Sequence, residues 1–205
     1  LYNLENEEQL GGFYMPEVFA DKVPGKPAGS VSLSFSGTSL SGRVQFRPPT
    51  TTYDGVKAEG DLTYRVYANG NEIANGTTSY GAGYQNVDVT LDNPGWYCIS
   101  VVHENAEVKS PRGKQAKFIG PDTPKAPSSV SVSYADGVAT VRWGSVTSGA
   151  NDGSIDTSTR RYVVTRHPDN VVVSADNQTT TSLTDNIPMP QERTTYHYTV
   201  KAVAG

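Results

Sequence analysis

Two stretches of this chain alternate alike. Tyr97-Cys98-Ile99-Ser100-Val101 and Tyr196-His197-Tyr198-Thr199-Val200-Lys201-Ala202 keep one phase of mostly apolar positions. That period belongs to a half-buried β-strand. The copies lie about a hundred residues apart, and the sequence around each repeats in register. Pro24-x-x-Pro27 returns as Pro124-x-x-Pro127, and Val31-x-Leu33-x-Phe35 as Val130-x-Val132-x-Tyr134. Gly42-x-Val44-x-Phe46 returns as Ala139-x-Val141-x-Trp143, Asp54-Gly55 as Asp152-Gly153, and Tyr64-x-Val66 as Tyr162-x-Val164. So many pairs at a nearly constant offset mean two copies of one all-β fold. A chain of 205 residues is long enough for two ordinary small domains.

The repeat divides the chain. We expect an N-terminal extension over 1–23, a first domain over 24–120, a proline-rich linker over 121–127 and a second domain over 128–205. The extension is acidic at Glu5, Glu7 and Glu8, then apolar at Phe13-Tyr14-Met15. It is expected to lie against the first domain or to be the tail of a preceding one. Gly120-Pro121-Asp122-Thr123-Pro124-Lys125-Ala126-Pro127 reads as a stiff connector. Asn69-Gly70 and Asp136-Gly137 mark tight turns, and Pro48-Pro49 end a strand because proline cannot donate to the ladder.

Composition excludes several classes of function. A net charge of -4 with scattered Lys and Arg argues against nucleic acid, which needs a concentrated basic face. No stretch approaches the length of a membrane span, so insertion is not expected. The single cysteine, Cys98, excludes an internal disulfide and a multi-cysteine zinc site. Its phase points it out of the sheet, with no basic partner adjacent to activate it.

No set of residues looks catalytic, and no cofactor or metal is expected. Of the three histidines, His197 faces outward, His103 lies in the inward phase at a strand's end and His167 falls in a turn. None has the spacing of a metal pair on one strand face. Asp152-Gly153-Ser154-Ile155-Asp156 carries carboxylates four apart but lacks the later Glu of a calcium loop, so a capped turn is the better reading. Tyr53, Tyr80, Tyr84 and Trp96 sit at turns or strand edges of the first domain. Exposed aromatics stack on sugar rings or anchor protein partners, whereas buried ones merely pack an edge. Asn75-Gly76-Thr77 and Asn177-Gln178-Thr179 fit the glycosylation acceptor pattern, the first serving equally as a hairpin turn.

From Pro24 onward these residues resemble fibronectin type III domains. The second unit carries the family's proline start at Pro127, its Trp at Trp143, its Tyr-x-Val at Tyr162-x-Val164, and its sixth strand at Thr194-x-Tyr196-x-x-x-Val200-x-Ala202. The first unit departs with Phe46 in place of Trp and Gly95 in place of Thr. The Asp-Gly loops and Asp169-Asn170-Val171-Val172 look like tandem modules in large cell-surface proteins of Bacteroides-type bacteria. The resemblance implies two immunoglobulin-like antiparallel β-sandwiches, with Tyr97 and Tyr196 as corner tyrosines bonding back to the backbone. It also implies that the second sandwich lacks its last strand in this chain. We expect another chain or the N-terminal extension to cover that edge, since unpaired strands invite aggregation.

The expected role is a non-catalytic structural or adhesion spacer in a larger extracellular or cell-surface protein, its signal peptide removed. Its partners would be other domains of the same parent. The alternative is a glycan- or protein-binding module using Tyr53, Tyr80, Tyr84 and Trp96.

Overall fold

In a computed structural model, the described residues are 23–106, 108–187, 189 and 192–205. The expected N-terminal extension lies almost wholly outside them. All regular structure among them is β-strand. The first unit contains β1 (Ser32–Phe35), β2 (Ser41–Phe46), β3 (Asp61–Ala68), β4 (Asn71–Ser79), β5 (Gln85–Thr90), β6 (Gly95–Glu104) and β7 (Gly113–Ile119). The second contains β8 (Ser131–Ala135), β9 (Val138–Arg142), β10 (Arg161–His167), β11 (Val171–Val172), β12 (Ser182–Asn186) and β13 (His197–Val203).

The first sandwich stacks a sheet ordered β1-β2-β5 against one ordered β4-β3-β6-β7. Alternation explains its core. Val44 opposes Val87 and Val66 opposes Val101, so each pair presents its side chains to one face. Val44, Phe46, Leu62, Val66, Ile99 and Val101 are all buried. The outer face is tied by polar pairs instead, such as the Arg43 Nε bond of 2.8 Å to Asp88 across β2 and β5.

The second sandwich repeats the order with six strands: β8-β9-β12 faces β11-β10-β13. Val141, Trp143, Val146, Ile155, Tyr162, Val164 and Ala202 form its core. The substitution of Phe46 for Trp costs the first core no geometry. Phe46 meets Tyr64 edge-on at 5.2 Å and 64°, and Trp143 meets Tyr162 at 5.4 Å and 64°. Two-residue turns of the expected kind join β3 to β4 and β8 to β9. Asn69 and Gly70 take φ of 49° and 91°, and Asp136 and Gly137 take 50° and 83°.

Two expectations need correction. Asn75-Gly76 is no turn: it lies inside β4, where the Asn75 amide donates to Glu72 at 2.8 Å. β4 is polar, with Ile73 its only large apolar residue, and holds its place through the backbone ladder to β3, so hydrophobic periodicity could not reveal it. His167 is likewise no turn residue but the last residue of β10, paired with His197 of β13.

Candidate functional site

The four aromatics proposed as a binding surface occupy separate stretches of the first unit. Tyr53 stands on the loop between β2 and β3 and Tyr84 just before β5, each 63% exposed. Trp96, on β6, is 57% exposed and meets Phe118 edge-on at 6.1 Å. Tyr80, directly after β4, is half-buried, and burial raises its hydroxyl pKa against a bond to Asn105. Arg47 lies over the Tyr84 ring at 6.0 Å. Of the four, Tyr53 lines a cleft of about 520 Å³, together with Pro27, Pro49, Thr51 and Pro111.

That cleft is built by local chain chemistry. The Tyr53 amide donates to the Val23 carbonyl at 2.8 Å, and the Gly25 amide to the Thr51 carbonyl at 3.0 Å. A Cβ on Gly25 would sit 2.7 Å from that carbonyl, so this approach needs glycine. The Thr52 hydroxyl bonds the Asp54 carboxylate and the Thr52 amide bonds the Val56 carbonyl, closing the Asp54-Gly55 turn.

The connector is a second constellation. Asp122 is buried, and its carboxylate accepts from the Asn151 amide at 2.8 Å, the Asn151 side chain at 2.9 Å and the Gly153 amide at 3.0 Å. Burial disfavours its charge, yet these bonds and one from the Thr123 amide outweigh that and hold its pKa below the ordinary value. The backbone adds Asp122 to Ser154 at 2.9 Å and Ala150 to Thr123 at 2.7 Å, and Lys125 pairs with Asp152. Gly149 has no Cβ because one would fall on the Asp122 carboxylate. Asp152 therefore serves the connector. Asp156 accepts from the Ser158 amide at 2.9 Å and its hydroxyl at 2.6 Å, a capped turn as expected.

A buried charged cluster in the second sandwich has no counterpart in the sequence reading. Arg166 bonds Asp185 through Nη1 at 2.9 and 2.8 Å, and bonds Asp169 through Nη2 at 2.7 Å. The Tyr198 hydroxyl donates to Asp185 at 2.8 Å, and the Arg166 guanidinium lies 5.7 Å from the Tyr196 ring centre. The hydrogen bonds to Asp169 and then Asp185 raise the Arg166 pKa against the cost of burial, and Asp169 falls below its usual range for the same reason. Burial first, then the bond to Asp185, raises the Tyr198 pKa. A signal was present: Tyr162-x-Val164-x-Arg166 carries an arginine in the inward phase, which demands a buried acid.

The histidines fall in two places. His103 is fully buried, packed edge-on to Phe46 at 5.4 Å, and neither ring nitrogen has a hydrogen-bond partner. Burial holds its pKa down to about 4. His167 and His197 stack at 4.8 Å and 15°, a cross-strand pair that sequence spacing did not bring together. The His167 nitrogens are engaged by Asn170 at 2.7 Å and Thr199 at 3.1 Å. Cys98 is free and exposed, as its phase requires. No described helix is long and apolar enough to cross a membrane.

The strand order, shared by both units, defines a tandem pair of immunoglobulin-like antiparallel β-sandwiches. No protein-family model matches the chain, and no curated protein does. Among solved structures it is similar to the central fibronectin-III array of RIM-binding protein, at 22% identity and TM-score 0.33, covering 89% of this chain and 59% of that one. It is similar to the chicken CNTN1 FN1-FN3 domains at 14% identity and TM-score 0.36, covering 88% of this chain and 62% of that one. A two fibronectin type-III domain segment from chicken tenascin gives 18% identity and TM-score 0.31, covering 86% of this chain and 90% of that one. The chain thus spans 59% and 62% of the first two.

Proposed function

We propose that this chain is a non-catalytic spacer, a pair of sandwich modules over 24–120 and 128–205 within a larger extracellular or cell-surface protein. The observation that carries this reading is the Asp122 seat. A proline-rich connector held by three bonds to one carboxylate moves with the second sandwich instead of swinging from it. A spacer needs such a joint and needs no convergent reactive groups. The modules' partners would be neighbouring domains of the parent. The Asp-Gly loops and the Asp169–Val172 turn favour a bacterial cell-surface parent of the Bacteroides type. Backbone relaxation tests the central point. Order parameters of about 0.85 for the Thr123, Lys125, Asn151 and Gly153 amides would match rigid strands. Values below about 0.6 would mean a loose tether and would remove the basis of the proposal.

A second reading has one specific support: Tyr53 stands exposed on the rim of the Pro27–Pro49–Pro111 cleft. A planar ring beside a cleft walled by prolines and threonines suits a sugar face or a proline-containing peptide. A glycan array on the intact chain, with Tyr53→Ala and Trp96→Ala as controls, separates binder from spacer. Signal lost with either variant selects the binder, and a blank array leaves this reading without support.

A further inference from the structure

Two histidines far apart in sequence meet on one face of the second sandwich. His167 closes β10 and His197 opens β13, and the antiparallel ladder sets them directly opposite each other. Opposed residues of such a pair share a face and carry their Cβ atoms about 4.5–5.5 Å apart. Here the face is the outer one. Tyr162, Val164 and Arg166 hold the other phase of β10 and are buried, whereas His197 is exposed and His167 half-buried. Thr165, Thr199, Val172 and Lys201 share the outer face through the same registers, and none of them is a carboxylate. Asp169, the acid nearest His167 in sequence, is paired with Arg166 instead.

The bonds around His167 fix which of its nitrogens is bare. The Asn170 side-chain nitrogen donates to the Pro168 carbonyl at 3.2 Å, which turns the Asn170 oxygen to His167 Nδ1 at 2.7 Å. An amide oxygen only accepts, so Nδ1 carries the proton and Nε2 keeps its lone pair, which accepts from the Thr199 hydroxyl at 3.1 Å. One ring nitrogen donating to an oxygen while the other stays bare is the arrangement that orients a histidine ligand and strengthens it as a base. The His197 ring stacks on this one at 4.8 Å and 15°. The torsion that turns an imidazole about its Cβ–Cγ bond is broad, so parallel rings can swing to converge at little cost.

We infer that His167 and His197 form a two-histidine site for a transition-metal dication of the Cu²⁺, Ni²⁺ and Zn²⁺ class. Imidazole nitrogens bind such ions at about 2.0–2.1 Å, so one ion spans two opposed side chains of this separation. Among the described residues no group of three His, Cys, Asp or Glu side chains could hold an ion, so these two are its protein ligands and water completes the coordination. Nitrogen ligands without a carboxylate select this class, with Cu²⁺ the tightest, over Mg²⁺ and Ca²⁺, which prefer oxygen. An ion held between β10 and β13 braces the sheet, so occupancy stabilises the second sandwich. Spacing along one strand could not reveal the site, because its two ligands come from different strands.

The test uses the whole chain at pH 7.5 with Cys98→Ser, which removes an exposed thiol that would compete for the same ions. Calorimetric titration should give one Cu²⁺ per chain, weaker binding of Zn²⁺ and none of Mg²⁺. Saturating Cu²⁺ should raise the second unit's Tm by about 5 °C or more and should broaden the His167 and His197 ring resonances before those of His103. His167→Gln and His197→Gln should each weaken Cu²⁺ at least tenfold, with a metal-free Tm near the parent's because both side chains stand on the outer face. Asn170→Gly suits the φ of 57° and deletes the Nδ1 acceptor, so it should weaken Cu²⁺ about tenfold, and Asn170→Asp, which restores an acceptor, should not. Unchanged affinity in either histidine variant would mean an adventitious ion bound elsewhere and would overturn the inference. So would broadening confined to other residues, or one ion per two chains, which would place the ion between copies.

Discussion

His103 should make the first sandwich acid-sensitive, and its replacement should remove that sensitivity. The imidazole has no accessible surface and no partner for either nitrogen, so protonation in place would bury an uncompensated charge. Its folded pKa is held down to about 4 by burial, against an unfolded value of 6.5. The depressed pKa belongs to a base, so the unfolded chain takes up a proton first as pH falls. Stability is therefore complete above about pH 6.5 and is lost between there and about pH 4. The gap of about 2.5 pKa units corresponds to about 3 kcal/mol in all, of which about 2.5 kcal/mol is gone by pH 4.5. His103→Leu keeps the volume and removes both unpartnered nitrogens, so at pH 7.5 it should cost less than about 1.5 kcal/mol or even stabilise. Urea unfolding of both proteins at pH 7.5 and pH 4.5 measures the difference. A Trp143→Phe background leaves Trp96 as the only tryptophan, and the first sandwich already tolerates Phe46 at that position. Carboxylates common to both proteins cancel in the comparison. Parallel pH slopes for wild type and variant would refute the reasoning, as would an NMR titration placing His103 near 6.5.

Asp122→Ala should destabilise the second sandwich by about 2–3 kcal/mol, because the Asn151 and Gly153 amides lose a charged acceptor. Gly149→Ala displaces the same carboxylate, so the double variant should cost little more than either single one; chemical denaturation of the four proteins reads this coupling. Arg166→Met should cost about 3–5 kcal/mol by leaving Asp185 buried without its cation, and Arg166→Met with Asp185→Leu should recover most of it, followed through Trp143 fluorescence. The raised Tyr198 pKa keeps its hydroxyl protonated in the fold, so the unfolded chain ionises first on the alkaline side. Stability from this group is complete below about pH 10 and falls above it, and Tyr198→Phe should flatten that limb of the pH–stability curve.

The frame of this protein was legible because its central strands are amphipathic. Val44, Val66, Ile99 and Val101 in the first sandwich, and Val141, Tyr162, Val164 and Ala202 in the second, carry the period that burial on one face imposes. The polar edge strand β4 carries no such signal, since the backbone ladder to β3 and the Arg65–Glu72 ion pair, not an apolar face, hold it in place. β12 was hidden for a different reason. Ser182–Asn186 places Asp185 in the core, where an apolar residue would have announced the strand. The same substitution hid the cluster, for Arg166, Asp185 and Tyr198 come from three strands and meet only through the fold. The Asp122 seat was out of reach too: two of its three bonds go to backbone amides of a loop 29 and 31 residues away, and amides have no letter in the sequence.

Polar residues placed inward thus mark where this chain departs from a generic sandwich, and they act unequally. His103 has no partner, adds nothing that leucine would not, and exposes the first sandwich to acid. Arg166 is fully met by two carboxylates, which a shape-matched apolar pair could replace without loss of stability. What that pair could not replace is direction. The Tyr198 hydroxyl is anchored at Asp185 at 2.8 Å, and Leu at 185 would leave that hydroxyl without its acceptor.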